Sequence, residues 1–143
     1  MSLPTHLTLE IVTPDRAIVH EVVDEVQLPG TEGYLGILPG HTPLLTSLTV
    51  GQVWYRKGTE KVYLSIAYGF AEVLPDHVRL LAQIAARAEE IDLTRAEQEK
   101  KRAEELIQAA RSGGADIDMD RARVSLMKAM IRIQVATKAK VRN

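Results

Sequence analysis

Five basic residues in the C-terminal part of the chain are spaced to line up on helices. Arg95 and Arg102 stand seven apart, and Arg121, Lys128 and Arg132 follow one another at steps of seven and four. Such steps return to one face of a helix after one or two turns, so each set reads as a basic stripe. A guanidinium group is a planar fork that matches two phosphate oxygens, and an ammonium group adds a point charge. Two stripes of this kind facing one another would suit a triphosphate; the competing reading is a solvated helix surface of mixed charge.

Other chemistry has little to work with. His6, His20, His41 and His77 show no spacing that sets two imidazoles at one turn as metal ligands, so no metal site is expected. The chain has no cysteine, which excludes disulfides, thiolate metal sites and thiol catalysis. Ser47, Ser65 and Ser125 lack the flanking glycines of a nucleophile elbow, and catalysis within this chain is not expected.

The basic stripes require helices, and the sequence supplies them only after Ala85. Beyond that point Ala, Glu, Lys, Arg and Gln dominate and proline disappears, which is helix composition. Asp92 is placed to cap a first helix, whose pattern runs through Leu93, Ala96, Ala103, Leu106 and Ala110 to Ser112-Gly113-Gly114. A second helix starting at Asp116 or Asp118 carries Ala122, Leu126, Ala129, Ile133 and Ala136 at steps of three or four. Together they predict an antiparallel helical hairpin. Its seams are rich in alanine, so burial at about 25 cal/mol per Å2 stabilises it only modestly. That makes it a candidate for an element that switches between arrangements.

Before Ala85 the apolar period is two: Leu7, Leu9, Ile11, then Val53 and Tyr55, then Val62, Leu64, Ile66, then Val78 and Leu80. Turn signals at Thr13-Pro14-Asp15, Pro29-Gly30-Thr31, Pro39-Gly40, Arg56-Lys57-Gly58-Thr59 and Pro75-Asp76 leave no room for helical crossovers. The prediction is an antiparallel β sandwich or flattened barrel over residues 1–87, followed by the hairpin over 88–143. Lys57-Gly58 should sit in a hairpin loop of about three to five residues that pairs the Val53 strand with the Leu64 strand.

Splitting the chain after Ala85 gives Lys+Arg 5 against Asp+Glu 9 before it and 13 against 10 after it, hence net charges of -4 and +3. The positive half points to an acidic partner or an anion, with a mixed solvated surface as the alternative. Aromatics make up 4% of the residues, too few for a stacking surface for single-stranded nucleic acid. No apolar run approaches the roughly 18 residues that span a bilayer, so any membrane role is expected to be indirect. The stretch from Met1 to His6 also lacks the pattern of a secretory signal.

One segment of the β half is unusually specific: Pro29-Gly30-Thr31-Glu32-Gly33-Tyr34-Leu35-Gly36-Ile37-Leu38-Pro39-Gly40-His41-Thr42-Pro43-Leu44-Leu45. Read as physics, it is a tight double turn between strands, where glycine permits positive φ and proline stiffens the bends. It has no Gly-Lys-Ser/Thr and no following helix, so it is not a phosphate loop. The same run resembles the epsilon-subunit family of bacterial and chloroplast ATP synthases. The resemblance continues through Ile11-Val12-Thr13-Pro14, Gly69-Phe70-Ala71-Glu72-Val73 and the two-helix tail, and so covers nearly the whole chain.

The resemblance implies a ten-stranded β sandwich followed by a two-helix hairpin, in a non-catalytic rotor subunit of the proton-driven ATP synthase. The sandwich would bind the gamma subunit and sit on the ring of c subunits, which Glu32, Tyr34 and His41 would contact. The tail would inhibit ATP hydrolysis by meeting acidic surfaces of the alpha and beta subunits through Arg121, Arg123, Lys128 and Arg132. Ile91-Asp92-Leu93-Thr94-Arg95-Ala96 matches the Ile/Leu-Asp-x-x-Arg-Ala sequence that some bacterial members use to bind ATP. That match makes Ile91, Asp92, Arg95, Ala96, Arg102, Lys128 and Arg132 a candidate site for ATP as a regulatory ligand, with no cofactor required. Lys128 stands where nucleotide-binding relatives carry arginine, and Ala86 where they carry an acidic residue. The implied location is the cytoplasmic face of the bacterial inner membrane, peripheral, as part of the complex. The alternative is a stand-alone adenylate-sensing protein.

Overall fold

The computed structural model describes residues 3–113 and 116–141. The chain divides into two compact units, Met1–Arg87 and Ala88–Asn143.

Among its described residues the first unit contains eight strands: β1 (Leu7–Val12), β2 (Ala17–Val23), β3 (Glu25–Gly30), β4 (Gly33–Ile37), β5 (Leu44–Leu48), β6 (Gly51–Lys57), β7 (Glu60–Leu74) and β8 (His77–Arg87). The resemblance implied ten strands, and the difference lies in β7 and β8. Residues 69–74 of β7 pair with β5 and with the first half of β8, whereas residues 60–67 pair with β6 and with its second half. One layer is therefore β2-β1-β8-β7-β5 and the other is β8-β7-β6-β3-β4. Ten strand segments are drawn from eight continuous strands because two long strands bend from one layer into the other.

The bend has a residue-level cause. Tyr68 and Gly69 both have positive φ, 62° and 128°, which turns β7 without breaking it. A Cβ on Gly69 would lie 2.0 Å from the carbonyl oxygen of Leu81, so only glycine lets β7 approach β8 this closely.

Inward positions form one core. It includes Leu7, Leu9 and Ile11 of β1, Val26 and Leu28 of β3, Val53 and Tyr55 of β6, Leu64, Ile66 and Val73 of β7, and Val78 and Leu80 of β8. Most of these are the period-two residues of the sequence, to which the structure adds Val26, Leu28 and Val73, and Val62 is only half-buried against them. Pairing is antiparallel throughout except between β1 and β8, which run parallel. The first and last strands of the unit are not joined by a hairpin, so nothing in the connection forces them antiparallel. The β6–β7 turn is tighter than expected: Lys57 pairs with Glu60, leaving Gly58 and Thr59 as a two-residue loop with Gly58 at φ 62°.

The second unit opens with a 3-10 turn, Ala88–Glu90, and continues with α1 (Leu93–Arg111) and α2 (Met119–Val141). The Asp92 carboxylate accepts the backbone N–H of Arg95 at 3.1 Å and caps α1. Asp118 does the same for Arg121 at the start of α2, at 3.2 Å. At the other end of α1, Ser112 caps the last carbonyls and Gly113 takes φ 74°. Gly114, the last residue of the expected stop signal, lies outside the described residues.

The helices meet on small side chains. Arg132 of α2 reaches Glu99 of α1, and this antiparallel register sets Ala96, Ala103 and Ala110 level with Ala136, Ala129 and Ala122. All but Ala110 of these are buried. Larger buried residues on the two helices are Ile107 and Val135 among those described. Leu106, placed on the buried stripe by sequence, is exposed, and Ile107 takes that position. Leu106 and Ile107 flank the line of Ala96, Ala103 and Ala110 on opposite sides, and the packing of the hairpin, not the spacing, decides that Ile107 is the one buried.

Candidate functional site

In the helical unit the structure gathers part of the predicted basic set onto one carboxylate. Arg95 donates from Nε to Glu99 Oε1 at 3.1 Å, and Arg132 donates from Nη1 to Glu99 Oε2 at 3.0 Å. Two guanidinium groups from different helices thus share one anion. The Arg95 side chain is 77% exposed and that of Arg132 30% exposed, so the second is held against the hairpin while the first lies open. Asp92 fixes the first turn beneath Arg95, Ile91 is half-buried, and Ala96 is buried in the seam.

Arg121 and Arg123 do not join this group. Arg102 is exposed and Lys128 half-buried. Arg121 precedes Arg132 by eleven residues, about 16 Å along a helix at 1.5 Å per residue. Arg121 and Arg123 therefore stand, exposed, near the start of α2 and away from Glu99. Glu99 itself was not singled out from the sequence, although its place four residues after Arg95 is the spacing at which helical ion pairs form.

In the β unit, Glu32 and Tyr34 lie at one end of β4 and His41 beyond the other. The two ends of this strand are about 13 Å apart at roughly 3.3 Å per residue. Glu32 occupies the exposed tip of the β3–β4 hairpin, whose last pair is Gly30 with Gly33. Tyr34 is folded back rather than projecting freely: its hydroxyl accepts the N–H of Gln52 at 3.0 Å. A Cβ on Gly51 would come within 2.7 Å of that hydroxyl. His41 ends the turn Leu38-Pro39-Gly40-His41, in which its N–H reaches the Leu38 carbonyl at 3.2 Å and Gly40 takes φ 85°. Pro then Gly at the central positions is the arrangement of a type II turn. His41 Nδ1 donates to the Thr42 carbonyl at 2.7 Å, and Gly40 N–H is tied to Pro75 at 2.7 Å.

A third surface was not anticipated. Ser47, Phe70, Leu81 and Val12 follow one another across β5, β7, β8 and β1 on the outer face of one layer. Phe70 is 56% and Leu81 50% exposed, and with Pro14 and Gly69 they line an apolar groove of about 330 Å3. Exposed apolar groups in contact with one another mark interaction surfaces more often than scattered ones do. The neighbouring cross-strand row on that face is ionic. Arg79 donates to Glu10 at 3.0 Å and lies 3.9 Å from Glu72, while His20 and His77 each bring Nε2 to 3.7 Å from Glu10. The Arg79 hydrogen bond holds the Glu10 carboxyl below the usual carboxylate range. An apolar strip with a charged rim is the make-up of a protein interface.

Comparison with known proteins agrees with this architecture. The family described as ATP synthase, Delta/Epsilon chain, beta-sandwich domain matches residues 6–88, and its long alpha-helix domain matches residues 89–137. The fold and the paired domains thus define a delta/epsilon-type chain of ATP synthases. An ATP synthase epsilon chain of Solibacter usitatus is 44% identical over 136 residues, which cover 95% of this chain and 99% of the relative. That of Koribacter versatilis is 54% identical over 101 residues, 71% of each. A solved chain from the Euglena gracilis mitochondrial ATP synthase shares the fold with a TM-score of 0.79 at 22% identity, over 99% of this chain and 84% of that one. The chain belongs to the family of ATP synthase epsilon chains. No helix among the described residues is long and apolar enough to cross a membrane.

Proposed function

We propose that this epsilon chain is a non-catalytic rotor subunit whose β unit joins the gamma subunit to the ring of c subunits, and whose hairpin restrains ATP hydrolysis in an ATP-sensitive manner. The observation that carries the reading is the unequal cohesion of the two units. The sandwich closes on large branched side chains, while the hairpin closes mainly on alanine and one shared carboxylate. A transmission part must be stiff, whereas a regulatory arm must be able to leave its resting place at low cost.

The contacts follow from chemistry. The outer apolar strip of Val12, Phe70 and Leu81 fits a lasting protein partner, and we assign it to gamma. Glu32, Tyr34 and His41 are the residues we assign to the c-ring, with Glu32 at the exposed tip of the β3–β4 hairpin and Tyr34 shaping that tip. Arg121, Arg123, Lys128 and Arg132 carry the positive charge of α2 to acidic surfaces of the alpha and beta subunits when the hairpin opens. ATP held between Arg95 and Arg132 would favour the closed hairpin, since a ligand shifts an equilibrium only by its difference in affinity for the two states. The subunit would work peripherally, at the cytoplasmic face of the membrane.

Steady-state ATP hydrolysis by the catalytic head with gamma tests the reading. The full chain is compared with one ending at Glu90 across a range of ATP concentrations. Relief of inhibition by truncation, and by high ATP with the full chain, is the expected result. Equal rates despite demonstrated binding to gamma would leave only the coupling role. Absence of binding to gamma would overturn the assignment.

A further inference from the structure

We infer that Glu99 is a built-in competitor for the phosphates: its carboxylate occupies the two guanidinium groups that a triphosphate would take, and so sets how tightly the hairpin binds one. The inference rests on the nucleotide reading proposed above. Its warrant is a single arrangement. Arg95 and Arg132 come from different helices, yet each donates to a different oxygen of the same carboxylate, at 3.1 and 3.0 Å. A carboxylate accepting from two guanidinium forks presents the same acceptor chemistry as a phosphate, with less charge.

With Glu99 in place, the trio of Arg95, Arg132 and Glu99 carries a net charge of about +1 rather than about +2, because arginine stays protonated and a carboxylate is ionised at neutral pH. An incoming triphosphate must break both contacts and then sit beside the displaced anion, which opposes it. The carboxylate also has an entropic advantage, since it is already held on α1 four residues from Arg95. Conversely, Glu99 keeps the guanidinium groups of Arg95 and Arg132 directed towards a shared acceptor, so the site is ready when the carboxylate gives way. Glu99 is therefore a residue that tunes affinity without itself holding the ligand.

The test titrates the full chain with MgATP and, separately, with inorganic tripolyphosphate. It compares the unaltered chain with Glu99→Gln and with Glu97→Gln, which removes one charge from an exposed position of the same helix. Removing two part-exposed ion pairs should tighten binding of both probes by about five- to tenfold in Glu99→Gln. Glu97→Gln should stay within about twofold of the unaltered chain, because screening weakens charges that do not touch the site. A misfolded variant cannot mimic a gain in affinity. If the unaltered chain binds and Glu99→Gln binds no tighter, this inference falls and the nucleotide reading stands. If Glu97→Gln gains as much as Glu99→Gln, bulk charge is the cause and the inference falls. If neither the unaltered chain nor Glu99→Gln binds either probe, both fall together. Tightening of tripolyphosphate alone would support the competition while removing the nucleotide from the reading.

Discussion

In the sandwich, almost every inward position carries a large or branched side chain, and two long strands stitch the layers together through one glycine that no other residue can replace without a clash. In the hairpin, the buried seam consists of Ala96, Ala103, Ala122, Ala129 and Ala136, with Ile107 and Val135 as the larger members among the described residues of the two helices. The first arrangement buries much apolar surface per residue and the second little, though small side chains let helices approach closely. A stiff unit and a releasable one can therefore be written into a single chain by the size of the residues placed at otherwise similar buried positions.

Breaking the comparison on the stiff side should have the largest effect. Leu9→Ala opens a cavity at a position with no exposure, and should cost about 2–5 kcal/mol in urea unfolding of the β unit while leaving helical amides protected as before. On the releasable side, Ala129→Leu forces a large side chain into a fully buried position of the seam. It should cost about 1–3 kcal/mol, read as lost hydrogen-exchange protection in α1 and α2 with an unchanged β unit. If Ala129→Leu instead stabilised the helices, the seam would not be close-packed and the contrast would fail. Asp92→Ala removes the α1 cap, with an expected loss of about 1 kcal/mol confined to the hairpin.

Acid and alkali sharpen the contrast from the other direction. The Tyr55 hydrogen bond holds Glu21 below its ordinary value, the Gly58 N–H does so for Asp24, and Arg79 does so for Glu10. Each of these groups stabilises the β unit above the unfolded carboxylate value, near about 4. That stabilisation is lost as pH falls through the lower folded values. Burial and the Glu21 hydrogen bond push Tyr55 up to about 12. Its contribution is complete below the unfolded value of about 10 and is lost as pH rises from there through the folded value. Thermal melting of the β unit between about pH 8 and pH 12 should show this loss, and Tyr55→Phe should remove that part of it. An alkaline loss unchanged in Tyr55→Phe would assign it to other groups.

Much of this architecture was legible in advance, for reasons specific to particular residues. Leu7, Leu9 and Ile11 alternate strictly, and alternation over half-buried strands has one interpretation. The break in composition after Ala85 and the Asp92 cap gave the helices away. The bend at Tyr68 and Gly69 was not legible, because a glycine within an apolar run does not reveal whether its strand ends, bulges or passes into a second layer. Spacing alone does not separate Leu106 from Ile107, since adjacent apolar residues on a helix cannot be ranked without knowing where the partner lies. The strip of Phe70 and Leu81 was hidden for another reason: Val78 and Leu80 mark the inward face of β8, but which outward residues meet across β5, β7, β8 and β1 depends on strand register.

What the sequence determined by itself was local: which residues alternate, where turns and caps fall, which loop carries the family's glycines and prolines, and that the charged stripes sit on helices. These follow from backbone sterics and from side-chain period, which act over a few residues. Only the tertiary structure decided that β7 and β8 serve both layers, that an apolar strip remains uncovered beside an ionic row, and that Arg95 and Arg132 meet on Glu99 while Arg121 stands apart. Each of those depends on the register between elements distant in the chain, where a shift of one residue redirects a side chain to another face.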